Sequence, residues 1–174
     1  MGSSNVKALK DLKSSLERPF FMFEDKQIWR MMDSPHLLKC TVALFRKYNV
    51  LLPVLTDDGK QHKMEASFND MVSPLIFRVM YKLKEVHLAP VMRFAMKVGI
   101  AAQIMSRTYT NIYFLISITS EIEQRILATA TFVSQVDELF DSFNGTQINT
   151  GAKPLKCAIS EESPHSTYWG KAYQ

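Results

Sequence analysis

The stretch that decides how this chain is organised is Met31-Met32-Asp33-Ser34-Pro35-His36-Leu37-Leu38-Lys39. An apolar run ends at Asp33, and a Ser-Pro pair follows it at once. Ser34 is a favourable N-cap residue and Pro35 suits the first helical turn, so the stretch predicts the end of a strand and the start of a helix. A carboxylate held between two regular elements is one usual way to place a metal ligand, and the same pattern also simply ends a strand. The residues alone leave both interpretations open.

The residues around Asp33 predict a small mixed structure at the N-terminal end. A short amphipathic helix is expected over residues 6–16 because its apolar side chains recur on one side. Residues 20–23 and 27–32 are rich in aromatic and other apolar side chains, with a Glu-Asp-Lys turn between them, and they predict a β-hairpin that ends on Asp33. The next helix is expected from about residue 35 to residue 48, and the turn that follows at residues 53–59 marks a boundary.

The rest of the chain predicts helices. Residues 91–109 are rich in Met and Ala, which favour helix, and residues 121–143 carry apolar side chains three, four or seven apart. Residues 146–174 are polar, contain Pro and Ser, and predict a flexible tail. The fold class expected is therefore mainly α, with three parts: residues 1–52, residues 53–145 and the tail.

Composition limits the classes of function. The chain has 174 residues, is 47% hydrophobic and carries a formal net charge of +4. A charge of that size permits an anionic partner but does not demand one. Two cysteines are too few for a disulfide framework and favour a reducing compartment. No run is apolar for long enough to cross a bilayer, and the first residues lack the pattern of a signal peptide, so we expect an intracellular protein without membrane contact.

The motif search excludes several chemistries and leaves weak candidates. No Walker A sequence, dinucleotide-type glycine turn or nucleophile elbow is present. His36 and Cys40 are one helical turn apart, but no second pair completes a zinc site, and a buried Cys40 is the favoured interpretation. Lys39, Arg46 and Lys47 could touch phosphate, although a solvated helix face is the favoured interpretation.

Four segments, in order, resemble segments of P element-type transposases, the group that includes the animal THAP-domain transposase homologues. The stretch Asp33 to Lys39 resembles the family's Asp-Pro-Pro-His-Leu-Leu-Lys. The other three are Ala66-Ser67-Phe68-Asn69-Asp70, similar to Ala-Ser-Trp-Asn-Asp; Met96-Lys97-Val98-Gly99-Ile100-Ala101-Ala102-Gln103-Ile104-Met105-Ser106, similar to Met-Lys-Val-Lys-Leu-Ala-Ala-Gln-Val-Leu-Ser; and Thr129-Ala130-Thr131-Phe132 with Leu139-Phe140-Asp141-Ser142-Phe143-Asn144, similar to Thr-Ala-Glu-Phe and Leu-Phe-Asp-Ser-Phe-Asn.

The resemblance implies a fold and a chemistry. Enzymes of this family cut and join DNA with a ribonuclease H-like domain, which a mostly helical, GTP-binding insertion splits. Residues 1–52 would be a partial ribonuclease H-like segment and residues 53–145 the insertion-like domain. Asp33 matches the second catalytic acid, which would bind Mg²⁺, because two-metal phosphoryl transfer needs carboxylate oxygens. Asn69 and Asp70 match positions that contribute to the nucleotide site, where an Asp can accept the paired N–H donors of guanine.

The departures from the family pattern shape the functional expectation. The family's first acid belongs to a strand before this segment, its last acid to a Gln-Asp-x-x-Glu-Asn segment that does not follow Asn144 here, and its zinc-coordinating DNA-binding domain is not recognisable. A single carboxylate cannot hold two metal ions. We therefore expect a truncated or domesticated transposase segment, nuclear by family, that is inactive alone and associates with guanine nucleotide, DNA or an intact transposase. The alternatives are a non-enzymatic helical interaction module and a nuclease that needs missing parts in trans.

Overall fold

The structure, a computed structural model, describes residues 3–15, 17–30, 33–55, 59–72, 97–111, 124–145 and 153–172. The chain forms two compact units, Met1–Asp33 and Ser34–Gln174. About half of the described residues are helical, and the described strands form two small antiparallel hairpins. The mainly helical class is confirmed in that coarse form, while the ribonuclease H-like origin of the first hairpin stays a prediction.

The first unit contains helix α1 (Ser3–Asp11) and the predicted hairpin of β1 (Phe20–Phe23) and β2 (Lys26–Trp29). Phe20 pairs with Trp29 and Phe23 with Lys26, so only two residues form the loop. Both loop residues, Glu24 and Asp25, have positive φ angles, of 46° and 61°, which is the backbone of a type I′ turn. The hairpin is therefore confirmed, although β2 ends four residues before Asp33. Residues 31 and 32 lie outside the described residues.

Helix α2 (Ser34–Phe45) begins where the Ser-Pro pair predicts. Its buried face is Leu38, Val42 and Phe45, whereas Leu37 and Leu44 are 45% and 57% exposed. The sequence has two apolar stripes along this helix, and periodicity cannot say which of them faces the core. The stripe that contains Phe45 faces the core, because the Phe45 ring contacts two other rings of the second unit.

A second hairpin, formed by β3 (Val50–Leu55) and β4 (Gln61–Ala66), was not predicted. The sequence predicts a turn and a boundary at residues 53–59 and helices in the rest of the chain. Leu52 and Val54 of β3 are buried, but their neighbours Leu51 and Leu55 are apolar and exposed, so the period-2 signal is lost. Pro53 is compatible with a strand that has a neighbour on one side only. The predicted boundary between parent domains at residue 52 stays a prediction and falls inside this strand.

The core of the second unit forms around helix α5 (Gln124–Phe143), which packs against α2, β3, β4 and the short helix α3 (Phe68–Met71). Ala128, Ala130 and Val133 are fully buried on α5, and the small alanines let the neighbouring backbones approach closely. Helix α4 (Val98–Ile104) packs on α2, and residues 107–111 are also helical. The predicted helix over residues 121–143 is confirmed where it is described, whereas the one over residues 91–109 is interrupted at residues 105 and 106.

The predicted flexible tail is wrong for residues 153–172. A 3₁₀ turn (Pro154–Lys156) and helix α6 (His165–Ala172) lie there. His165 is 1% exposed, and its Nε2 donates a hydrogen bond of 3.0 Å to the Leu155 carbonyl. Trp169 stacks on Phe143 with centroids 5.4 Å apart and donates from Nε1 to the Ser142 hydroxyl. Polar composition predicted disorder, but these ring contacts fix the segment.

Replacing Phe45 should show how much its ring in the core stabilises the second unit. Phe45 is 2% exposed, and its ring lies 5.9 Å from that of Phe68 and 4.6 Å from that of Phe132. Phe45→Ala is expected to lower the free energy of unfolding by about 3–5 kcal/mol in a denaturant titration. Leu44→Ala, on the exposed side of the same helix, is the control and should change it by less than about 1 kcal/mol. Equal losses for both variants would contradict the assignment of the buried face.

Candidate nucleotide site

The segment Ala66 to Asp70, which resembles the start of the insertion domain, forms buried hydrogen bonds to α5. Ser67 is the N-cap of α3, and its hydroxyl accepts a hydrogen bond from the Asn69 backbone N–H. The Thr129 hydroxyl, which is fully buried, donates to Asp70 Oδ2 over 2.7 Å and accepts from the Ser67 backbone N–H over 3.1 Å. Two segments 59 to 62 residues apart are therefore joined through one hydroxyl group.

The predicted nucleotide residues have different surroundings. Asn69 is exposed, whereas Asp70 is 6% exposed and one of its oxygens is engaged by Thr129. Ser67 caps the helix that contains both residues, so Asn69 and Asp70 lie in its first turn. Their role toward a nucleotide stays a prediction.

Asp33 lies immediately before α2 and is exposed. Within the described ranges, no group of three His, Cys, Asp or Glu side chains is arranged to hold a metal ion. The described residues therefore do not provide a carboxylate cluster that fits Mg²⁺ around Asp33. Its assignment as a catalytic acid and metal ligand rests on the resemblance alone.

A polar cleft lies in the second unit, between the helical residues 107–111, the C-terminal half of α5 and the 3₁₀ turn. Its volume is about 240 Å³. The residues that line it are mostly charged or polar: Arg107, Ser134, Asp137, Glu138, Asp141, Lys153, Pro154 and Leu155. We call this group the polar cleft. Asp137 and Asp141 are one helical turn apart on α5, so both carboxylates face the same side.

Lys153 joins the two aspartates of the polar cleft. Its Nζ lies 3.0 Å from Asp137 Oδ2 and 2.5 Å from Asp141 Oδ2, and the Arg107 backbone N–H also donates to Asp137 Oδ2, over 3.2 Å. Both aspartates are buried, while the Lys153 side chain is 33% exposed. The positive charge of the Lys153 ammonium group thus compensates the negative charges of the two carboxylates, which lie close together on one helix face.

The surroundings shift two pKa values in the polar cleft. Burial raises the pKa of Asp137, although the hydrogen bond and charge of Lys153 act in the opposite direction. For Lys153, burial by itself lowers the pKa, but the hydrogen bonds and charges of Asp141 and Asp137 together outweigh it and raise the pKa. The lysine is therefore held in its charged form, and Asp137 is an acid whose ionised form is disfavoured by burial.

A glycine lets the chain return to this cleft after α5. A Cβ atom at Gly145 would clash with the backbone carbonyl oxygens of Lys156 and Cys157. The Asn144-Gly145 pair thus does more than end the helix, because it admits the close approach of the segment that carries Lys153. Because this close approach exists only in the folded chain, Lys153 could not be recognised from the sequence. The signal that was available was the Asp137–Asp141 pair, which interrupts the apolar pattern of α5.

Comparison with known proteins identifies the class. Residues 71–156 match the family model described as TNP-like, GTP-binding insertion domain. That range includes every residue that lines the polar cleft. No curated protein sequence matches at a significant level. Residues 71–156 are therefore similar to a transposase-like GTP-binding insertion domain.

A solved structure has a similar fold. The structure is similar to a chain of the Drosophila P element transposase strand transfer complex, with a TM-score of 0.64, 22% identity and coverage of 83% of this chain. The match spans 33% of the Drosophila chain, so this chain corresponds to about a third of that protein. The predicted resemblance to part of a P element-type transposase is confirmed. Among the described residues, no helix is both long and apolar enough to cross a membrane.

The hydrogen bond between Thr129 and Asp70 is expected to stabilise the second unit. Thr129→Val keeps the shape of the side chain but leaves the Ser67 N–H and Asp70 Oδ2 without this hydroxyl. The free energy of unfolding should fall by about 1–3 kcal/mol, the usual cost of buried polar groups that lose a partner. Thr131→Val is the control, since its hydroxyl bonds only within the helix, to the Leu127 carbonyl, and it should cost about 0.5 kcal/mol or less.

The ion pairs of Lys153 predict a pH dependence of stability. Its folded-state pKa lies above the unfolded-state value, near 10.5, so its contribution is complete below pH 10.5 and is lost as the pH rises through the folded-state pKa. Lys153→Met should be less stable than wild type at neutral pH, and the difference should shrink at alkaline pH. Chemical unfolding from pH 7 upward measures it. A difference that stays constant or grows with pH would contradict the prediction.

Proposed function

We propose that this chain is a transposase-derived module that binds guanine nucleotide in the polar cleft and does not catalyse DNA strand transfer by itself. The observation that carries the proposal is that the cleft lies within residues 71–156, the range that matches a GTP-binding insertion domain. DNA remains a second proposed partner, without an assigned surface, and a nuclear location follows only from the family.

The donors and acceptors of the cleft suit a guanine base. A carboxylate can accept from the two adjacent N–H groups of the guanine edge, and Asp137 and Asp141 supply two carboxylates at one helix face. Lys153 and Arg107 supply positive charge for phosphate oxygens. The cleft, at about 240 Å³, is smaller than the roughly 300–1,000 Å³ that usually encloses a whole ligand, so it would hold the base or part of the phosphate chain.

Asp70 has a structural role in this proposal. Its burial and its hydrogen bond to Thr129 leave it less available to a ligand than the carboxylates of the cleft. Asn69, which is exposed, would lie outside the site. Loss of binding on Asp70→Ala is still expected, but as a result of lost folding and not of a lost contact.

Mg²⁺ would come with the nucleotide and not with a preformed carboxylate cluster. Two-metal catalysis needs several carboxylates around Asp33, and the described residues form no group of three or more metal-ligating side chains. We therefore propose that the acids needed for strand transfer would have to be contributed from outside the described residues, for example by an intact transposase. Cleavage of transposon-end DNA by this chain alone, abolished by Asp33→Asn, would disprove that part of the proposal.

One observation favours the alternative of an interaction module. An apolar groove between α2 and α5 is lined by Leu37, Leu38, Val136, Leu139, Phe140 and Phe143, among others. Leu37, Leu139 and Phe143 are each more than 40% exposed. Exposed apolar side chains that are grouped around a groove are typical of a surface that binds another protein. This second candidate predicts indifference to GTP.

Titration calorimetry separates the two candidates. Wild type is expected to bind GTP more tightly than ATP, and Asp141→Asn and Lys153→Met should each weaken GTP binding by about ten-fold or more, or by at least 1.4 kcal/mol. Lys171→Met, an exposed lysine on α6, is the matched control and should bind as wild type does. Thermal unfolding of each variant shows whether it is folded. Absence of any heat signal or GTP-dependent rise in Tm would refute the nucleotide proposal.

A further inference from the structure

The cysteine and histidine on helix α2 form an exposed pair. Both His36 and Cys40 are exposed, and His36 Nε2 lies 3.5 Å from Cys40 Sγ. A buried Cys40 is the interpretation that the sequence favours, and that prediction is wrong. The cause is the choice of helix face, since the stripe that enters the core is Leu38, Val42 and Phe45. A thiol that neither packs in the core nor forms a disulfide is accessible to soft cations.

The separation of the two donor atoms matches that of two ligands on one metal ion. Zn²⁺ is bound by thiolate sulfur at about 2.3 Å and by imidazole nitrogen at about 2.0–2.1 Å, which with a tetrahedral angle places sulfur and nitrogen about 3.6 Å apart. The observed separation is 3.5 Å. Residues four apart on a helix share a face, so the helix backbone holds the two donors in this arrangement before a metal arrives.

We propose that His36 and Cys40 bind one soft divalent cation of the Zn²⁺ class, through Nε2 and Sγ, with water in the remaining positions. The site is separate from the polar cleft and from the nucleotide proposal. On binding, the Sγ–H bond breaks and an Sγ–metal bond forms, so one proton is released to solvent. Nε2 donates its lone pair, and the imidazole proton stays on Nδ1. No oxidation or reduction is involved.

The surroundings of the pair favour this use. The buried face of α2 anchors the helix in the core, so a cation that binds on the opposite side needs no change in backbone conformation. The nearest lysine in sequence, Lys39, lines a small cavity with Arg46, Ile100 and other residues on the side of α4, and its side chain therefore lies on another face of α2. The sequence spacing alone did not indicate a site, because spacing cannot show that both side chains are exposed.

Co²⁺ is a suitable probe, because thiolate ligation produces a sulfur-to-cobalt charge-transfer absorption in the near ultraviolet. The full chain, reduced and free of chelator, should develop this band as Co²⁺ is added and lose it when Zn²⁺ is added. Cys40→Ser is expected to abolish the band. His36→Gln should weaken Co²⁺ binding by at least about ten-fold, since even the loss of an outer-shell partner has an effect of that size.

Two matched variants control for the other donors of the same type. Cys157→Ser removes the other cysteine, and His62→Gln removes an exposed histidine on β4. Both should keep the band and the affinity of wild type. The proposal is overturned if no band forms at roughly millimolar Co²⁺. It is also overturned if Cys40→Ser keeps the band, or if His36→Gln binds as tightly as wild type. Circular dichroism of both site variants confirms that they are folded.

Discussion

The Thr129 hydroxyl holds the second unit together at a point where apolar packing alone would not fix the geometry. It donates to Asp70 and accepts from the Ser67 backbone N–H, so it satisfies a carboxyl oxygen and a helix-start donor that are both buried. Burying such groups is tolerable only when each has a partner, and here one group serves both. The start of α3 is consequently fixed against α5. The β3–β4 hairpin, which ends at Ala66, is fixed with it.

These two hydrogen bonds show how two segments that are far apart in the sequence depend on each other in the fold. Ser67 and Asp70 belong to one segment that resembles the transposase family, and Thr129 belongs to another. In the folded chain they are hydrogen-bond partners. The residues that resemble the family in this region thus have, in part, a structural role in packing. An Asp in such a segment is not by itself a sign of a ligand site, and the carboxylates of the polar cleft, which face a cavity, are stronger candidates.

Elements with strong local signals could be predicted from the sequence. The hairpin in the first unit, the start of α2 at the Ser-Pro pair and the long helix α5 all depend on residues close to one another in the chain. The β3–β4 hairpin could not be predicted, because Leu51 and Leu55 are exposed and hide the alternation. Lys153 could not be predicted either. Its role depends on Gly145, which admits the close approach of the following segment, and on ring contacts by Trp169.

Helix α2 shows that the units that fold and the segments inherited from a parent domain need not have the same boundaries. The resemblance assigns α2 to the ribonuclease H-like segment, yet its residues Leu38, Val42 and Phe45 complete the core of the second unit. Phe45 contacts Phe68 and Phe132, which lie in residues 53–145, the range that the resemblance assigns to the insertion. The core contains residues from both sides of residue 52, so dividing the chain there would remove the ring contacts of Phe45. Asp33 is the last residue before this core begins.

The charge of the polar cleft limits how a nucleotide could enter the proposed site. Three carboxylates, those of Asp137, Glu138 and Asp141, line it together with two cationic side chains. A triphosphate directed at the carboxylates would be repelled, whereas a base edge rich in N–H donors would be attracted. Lys153 already satisfies both aspartates, so an entering base would have to take over one of these contacts. The displaced ammonium group would then be available to a phosphate oxygen. Discrimination among nucleotides would therefore depend on the base, because only a base with two adjacent N–H donors replaces what the aspartate loses.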